Sequence, residues 1–341
     1  MGGCPGNLLW GNVYPDVYFN TDVLPVLNIR KHTTLLKRFP SVATATNLDR
    51  QRSSTLIYGQ GLYGEVIDNI EAAYEEPLNV TAAWKVGEYD CLLLDNPYSL
   101  LLEQAVVAQK VDIADLRDLP VLREPGLLVM DMDSTAIQIE CIDEIAVLAG
   151  VGEQVAEVTE RAMQGELDFE QSLRERVATL TGADASILAA VRERLPLMPE
   201  LPELVASLHH FGWKVAIASG GFTYFSDYLK DTLELEHAQS NTLEIIEGKL
   251  TGQVLGDVVD AQKKAEILRT LAAQHDIPLH NTVAIGDGAN DLAMINAAGL
   301  GVAYHAKPKV EAEAPVAVRF ADLGAVICLL SASLLPQQLN W

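Results

Sequence analysis

Two carboxylates, Asp131 and Asp133, stand two residues apart directly after the apolar run Gly126, Leu127, Leu128, Val129 and Met130. A run with no polar alternation reads as a strand buried on both faces, and such strands belong to parallel sheets covered by helices. A strand of this kind delivers its last side chains to the sheet rim, where ligands bind outside the carboxyl ends of the strands. The pentad Asp131, Met132, Asp133, Ser134, Thr135 therefore suggests phosphate chemistry. One carboxylate can attack phosphorus while a second protonates the departing oxygen and later activates water. Asp and Ser after a strand also hydrogen-bond their own backbone and initiate helices, so the pentad alone leaves an ordinary turn open.

A second acidic cluster, Asp287 and Asp291 with Gly286, Gly288, Ala289 and Asn290, follows another strand-like run, Thr282, Val283, Ala284 and Ile285. Two such clusters at two strand ends can converge on one cation. Mg2+ prefers carboxylate oxygens and takes one or two of them together with substrate phosphate. A third strand-like segment, residues 213–218, ends in Ser219, Gly220 and Gly221 and leads into a helical pattern over 222–229. A hydroxyl and free amides at a helix start suit an anionic oxygen; read alone, the same tripeptide is an ordinary N-cap with glycines easing the turn. Lys263 and Lys264 open a further helical stretch. Neighbours on a helix diverge by about 100°, so one of them reaches the site and the other is a solvated surface charge.

These four motifs, in this order and spacing, resemble the haloacid dehalogenase superfamily of phosphohydrolases and, within it, the phosphoserine phosphatases, over roughly residues 120–335. The resemblance implies a Mg2+-dependent hydrolase acting on O-phosphoserine, with Asp131 as nucleophile, Asp133 as general acid and base, and Ser219 with Lys264 as phosphate clamp. It implies that Asp287 and the backbone carbonyl of Asp133 join Asp131 around Mg2+, with Gly220 and Asn290 at the substrate and Asp291 supporting the ion from behind. Lys264 is preferred to Lys263 because the family pattern places its lysine two residues before a Glu-Ile-Leu run, here Glu266, Ile267 and Leu268. An acid at 133 argues for a phosphomonoester, whose alkoxide must be protonated; such a donor contributes roughly 10^2 to 10^4 in rate.

Residues 138–191 read as helices without a strand, a cap over about 138–195. Phe169, Leu173 and Arg176 share one helical face, by themselves a core stripe with a snorkelling arginine. Glu140, Met163, Phe169 and Arg176 match the family's cap positions, which implies that they bind substrate. Their chemistry suits a zwitterion: Glu140 for an ammonium, Arg176 for a two-pronged contact with a carboxylate, Met163 and Phe169 for excluding water. Without the family, Glu140 is equally a first-turn acid favoured by the helix dipole, as Asp143 and Glu144 are.

Alternation of strands and helices over 126–305 predicts a mostly parallel sheet with helices on both faces, a three-layer α/β/α Rossmann-like core with a helical cap. A hairpin is expected around Glu247 and Gly248. Residues 1–120 read as a small separate α/β module of regulatory or partner-binding type, with strands at 55–58, 78–84 and 89–94 and helices at 63–74 and 99–110. A hinge is expected at 120–125, with 121–341 as the catalytic domain. The formal net charge of −23 excludes nucleic acid as a partner. Cys4, Cys91, Cys141 and Cys328 are scattered, suggesting neither disulfide framework nor zinc site but a reducing cytoplasm. Met1 and Gly2 open no apolar leader, Gly6 breaks a myristoylation pattern, and the apolar stretch 325–335 is too short to span a bilayer and reads as a helix on the sheet. A homodimer is left open. Two rivals remain: a phosphotransferase or phosphatase of the same superfamily acting on another amino-acid phosphate, and a non-catalytic regulatory protein on this scaffold. Intact Asp131, Asp133, Lys264 and Asp287 count against the last.

Overall fold

The computed structural model describes residues 26–39, 41–117 and 119–334. Cys4, the N-terminal residues bearing on a leader or myristoylation, and Leu335 at the end of the last apolar stretch lie outside the described residues. Among those described, no helix is long and apolar enough to cross a membrane.

Two sheets organise the chain. The first is wholly antiparallel: β1 (Ile29–Lys31), β2 (Thr55–Gln60), β3 (Val80–Val86), β4 (Tyr89–Leu94) and β5 (Asp112–Asp115), in the order β1-β3-β4-β2-β5. The second contains β6 (Leu127–Met130), β7 (Lys214–Phe222), β8 (His237–Ile246), β9 (Lys249–Leu255), β10 (Thr282–Gly286), β11 (Leu300–Tyr304) and β12 (Val316–Val318), in the order β12-β11-β10-β6-β7-β8-β9. Every neighbouring pair is parallel except the edge hairpin β8–β9.

The run Leu127–Met130 is unexposed throughout, which is why it carries no polar alternation. Leu128 and Met130 join the apolar cluster on one face, with Phe225 and Leu229 of helix Thr223–Leu233 and most of helix Ala325–Ser331. Leu127 and Val129 turn to the other face and meet Ile267, Leu268 and Leu271 of helix Ala261–Gln274. The chain leaves β6 towards β7 and β8 on one side and later returns as β10 on the other, so β6 is the topological switch point. Its carboxyl end is the crevice in which α/β sheets bind ligands.

Between β6 and β7 the chain makes five helices: Cys141–Ala149, Gly152–Met163, Phe169–Ala178 and Ser186–Arg192 form the insertion, and Leu201–His210 leads back into β7. Asp168 and Gln171 form a capping box that starts the third. This insertion is held twice. Ile137 bridges Leu197 at its root, and Leu250 of β9 exchanges backbone bonds with Gly182 (2.8 Å) and Ala183 (2.9 Å).

The N-terminal sheet does not stand apart. Its inner face, including Leu56, Tyr58, Trp84 and Cys91, merges into the same cluster as the catalytic core, while Ile57, Leu92 and Ile113 pack under their own helices Gly64–Tyr74 and Leu100–Val107. The segment 120–125, expected as a hinge, is fastened instead. Asn281 accepts from the Val121 N–H at 2.6 Å and donates to the carbonyls of Glu124 and Pro125, and Trp213 donates to the Leu122 carbonyl at 2.9 Å. Prolines at 120 and 125 flank a crossing in which the Val121 and Leu122 N–H groups and the Val121, Leu122, Glu124 and Pro125 carbonyls are bound by Asn281, Ser333 and Trp213.

Candidate active site

Asp131 leaves β6 at the switch point, 5% exposed, its Oδ1 accepting from the Met132 N–H at 2.7 Å and its Oδ2 lying 2.7 Å from Lys264 Nζ. Lys264 is completely buried, and its ammonium also meets Asp291 Oδ1 at 2.7 Å. Lys263, one residue earlier, points outward to Glu266. The helix starts at Ala261 because Asp260 caps it by accepting from the Lys263 N–H, which turns Lys264 inward.

Oxygens of Asp131, Asp287 and Asp291 lie within 4.8 Å of one another, a set able to hold a metal ion. Asp287 follows β10 and accepts from Thr135 Oγ1 at 3.2 Å, while Asp291 turns back to accept from the Gly288 N–H at 3.0 Å. Burial together with the Asp131 charge pushes Asp287 up to about 6 and Asp291 up to about 7. Burial alone would lower the Lys264 pKa, but the two carboxylates outweigh it and hold the ammonium charged. A site in which carboxylates rise although a lysine is present is short of positive charge, and a divalent cation suits such a donor set of hard oxygens.

Asp133 points into the same crevice. Its Oδ1 is sealed from solvent without a hydrogen-bond partner among the described residues. Burial, then the charges of Glu140 and Asp131, push its carboxyl well above the usual range, against hydrogen bonds from Cys141.

Ser219, Gly220 and Gly221 do not begin a helix, as their sequence suggested. They belong to β7, which runs on to Phe222; the helix starts at Thr223. The ladder to β8 breaks between Ala218 and Phe222, and such irregularities re-aim side chains beside sites. Ser219 Oγ accepts from the Gly221 N–H at 3.0 Å. Neither glycine is demanded by a positive φ; both are demanded by space. A Cβ on Gly220 would stand 2.5 Å from the Phe169 ring, and one on Gly221 would stand 2.6 Å from Met132 Cε and 2.9 Å from Asp133 Oδ2.

A cavity of about 530 Å3 opens over these groups, and its walls bring together Asp131, Asp133, Ser219, Gly220, Asp287 and Asn290 from the sheet with Glu140, Met163, Phe169 and Arg176 from the insertion. Lys264 and Asp291 lie beneath its floor. Arg176 has a buried Nε without a partner among the described residues, and burial depresses its pKa against the pull of Asp143 and Glu140. Met163 is the exception to the water-excluding role expected of it: at the end of helix Gly152–Met163 it is 72% exposed.

Several contributors were not singled out from the sequence. Thr135 supports Asp287 and Ser134 donates to Glu140 Oε1 at 2.8 Å; both sat inside a motif read only for its acids. Asn241 of β8 donates to the Gly220 carbonyl at 2.8 Å and accepts from the Val259 N–H at 2.9 Å, joining the Ser219 segment to the approach to Lys264. A lone Asn in a strand gives no sequence signal of this.

Residues 126–299 match the haloacid dehalogenase-like hydrolases, and residues 51–115 match a domain of unknown function, DUF5609. The phosphoserine phosphatase of Vibrio cholerae is 62% identical over 321 residues, covering 94% of this chain and 98% of the relative. The chain belongs to the phosphoserine phosphatase family. An unliganded crystal structure of a probable phosphoserine phosphatase from Vibrio cholerae superposes with a TM-score of 0.85 at 62% identity, covering 93% of this chain and 98% of that one. A structure of a phospho-aspartyl intermediate analogue of phosphoserine phosphatase superposes with a TM-score of 0.57 at 40% identity and covers 60% of this chain and 98% of that one. In this phosphoserine phosphatase the acids Asp131, Asp287 and Asp291 gather in the crevice at the end of β6.

Proposed function

We propose that this chain hydrolyses O-phosphoserine to serine and inorganic phosphate, with Mg2+, through a phosphoryl group carried on Asp131. The observation that carries this reading is the convergence of Asp131, Asp287 and Asp291 on one point, with Lys264 Nζ at 2.7 Å from two of them. The Asp131 carboxylate oxygen attacks phosphorus as the bond to the serine oxygen breaks, and Asp133, whose protonated form burial favours, passes its proton to that oxygen. Once serine leaves, Asp133 as a carboxylate takes a proton from water, whose oxygen attacks phosphorus, releasing phosphate and restoring Asp131. Ser219 and the Gly220 amide hold the phosphoryl oxygens together with Asn290. Asp131, Asp287 and the Asp133 carbonyl would hold Mg2+, with Asp291 steadying them. The ion would screen the phosphate's charge from the acids and polarise its oxygens.

Glu140 takes the substrate ammonium and Arg176 its carboxylate, a pair of opposite charges that a sugar phosphate would not use. Phe169 packs beside Gly220 and walls off the reacting phosphorus. Residues 121–341, with the cap at 138–195, form the catalytic unit, and 1–120 an accessory one. Three buried free thiols suit a cytoplasmic setting.

Beryllium fluoride with Mg2+ is expected to trap an acyl-phosphate mimic at Asp131, visible in a crystal structure or by fluorine NMR, and Asp131→Asn is expected to lose turnover by at least about 10^4. An Asp131→Asn enzyme that still releases phosphate from phosphoserine would overturn the mechanism.

A further inference from the structure

We propose that Ser134 is a positioning residue that pre-sets Glu140 and thereby tunes selectivity for a substrate bearing an ammonium. The proposal rests on the reading of Glu140 given above. Ser134 adopts φ +57°, a left-handed conformation that glycine or asparagine takes up more readily than serine. The turn is closed on itself: the Ser134 N–H donates to the Ile139 carbonyl at 3.3 Å and Asp133 bridges Ile137. Its effect is to fold the Ser134 hydroxyl back onto Glu140 Oε1 at 2.8 Å.

Glu140 stands at the N-cap of helix Cys141–Ala149 yet makes no capping bond with its side chain. The cap role that would tether an ordinary first-turn acid is therefore absent, and the contact with Ser134 replaces it. The Asp131 charge is near enough to repel Glu140, so an untethered carboxylate would swing away from the nucleophile. Arg176 attracts Glu140 by its charge, but the side-chain hydrogen bond that Glu140 receives comes from Ser134. A hydroxyl is suited to the task because it adds no charge: it occupies one lone pair of one oxygen and leaves the rest of the carboxylate to an ammonium with three donors. Ordering a glutamate before the substrate arrives removes that entropic cost from binding.

The test compares phosphoserine with p-nitrophenyl phosphate, which has no ammonium, in the full chain with saturating Mg2+. Ser134→Gly keeps the left-handed turn accessible and deletes the hydroxyl; Ser134→Ala deletes the hydroxyl and keeps Cβ. Both are expected to raise the ratio of the two substrates' KM values about fivefold, the size of one typical net hydrogen bond, with the ratio of kcat values unchanged. Glu140→Gln should raise the KM ratio at least as much, and the double variant Ser134→Gly with Glu140→Gln should match Glu140→Gln alone. If Glu140→Gln raises the ratio and Ser134→Gly does not, the role of Ser134 fails while that of Glu140 stands. If Glu140→Gln leaves the ratio unchanged, the ammonium contact itself is wrong. A circular-dichroism melt of each variant separates loss of fold from loss of selectivity, and a Ser134→Gly protein that melts like the parent with an unchanged ratio overturns the proposal.

Discussion

At the scale of single residues, the site is governed by a charge deficit. Lys264 is sealed between two carboxylates, Asp131 and Asp291, and a buried pair is most costly when one partner is removed. Lys264→Met keeps volume and deletes the charge, leaving two acids face to face. It is expected to destabilise the protein by about 3–5 kcal/mol in urea unfolding without divalent cation, and a parent-like midpoint would mean that the acids are balanced by a shared proton instead. Which of the two lysines would turn inward was legible only through the family's spacing, because helix geometry separates Lys263 from Lys264 without saying which faces the core. Asp131, Asp133 and Asp287 were legible from the apolar runs before them. The hydroxyls of Ser134 and Thr135 were not, since Ser and Thr are frequent turn residues whatever they touch.

At the scale of elements, the helices of residues 138–191 and the hairpin about Glu247 and Gly248 follow from periodicity and turn chemistry, and the structure contains them. The strand continuation through Ser219, Gly220 and Gly221 was misread because adjacent glycines announce a turn; here they make room for Phe169, Met132 and Asp133. Strand Asp112–Asp115 was missed for a related reason. A four-residue segment with an acid at each end has no strand signal, and Asp112 is buried only because the backbone N–H groups of Arg319, Phe320 and Ala321 all donate to it. The hairpin's grip on the helical insertion makes its own prediction. Gly252 has φ +83°, and a Cβ there would stand 2.1 Å from Thr181 Oγ1 and 3.2 Å from Ala178 Cα. Gly252→Ala therefore combines backbone strain with overpacking and is expected to cost about 2–4 kcal/mol while raising the KM for phosphoserine, because helix Phe169–Ala178 carries Phe169 and Arg176. A melting temperature and KM both equal to the parent's would show that the hairpin does not steady that helix.

At the scale of the whole molecule, the two sheets share one apolar interior, stitched by Trp84 Nε1 donating to Ser331 Oγ at 2.7 Å, Tyr89 OH donating to Glu200 at 2.8 Å and Arg319 meeting Glu103 at 2.9 Å. Asp112 sits in this seam, and burial raises its pKa above 3.8 despite its three backbone donors. A raised acid contributes stability fully below its unfolded value, and that contribution is lost as pH climbs through the folded value. The gap in unfolding free energy between parent and Asp112→Asn is thus expected to narrow as pH rises from below 3.8; a gap that widens in urea titrations at stepped pH would reverse the assignment. The seam was invisible in the sequence, where Pro120 and Pro125 suggested a joint, because mutual burial of two sheets is a property of neither one's pattern alone. The order of the larger sheet has a consequence for biosynthesis. The strand bearing the nucleophile is flanked by β7 and β10, the latter encoded far downstream, so a nascent chain emerging from the ribosome exposes Asp131 long before Asp287 and Asp291 exist. The set of acids is complete only once the chain has been made through Asp291, and a half-made polypeptide has no centre with which to capture a cation or attack a phosphate ester.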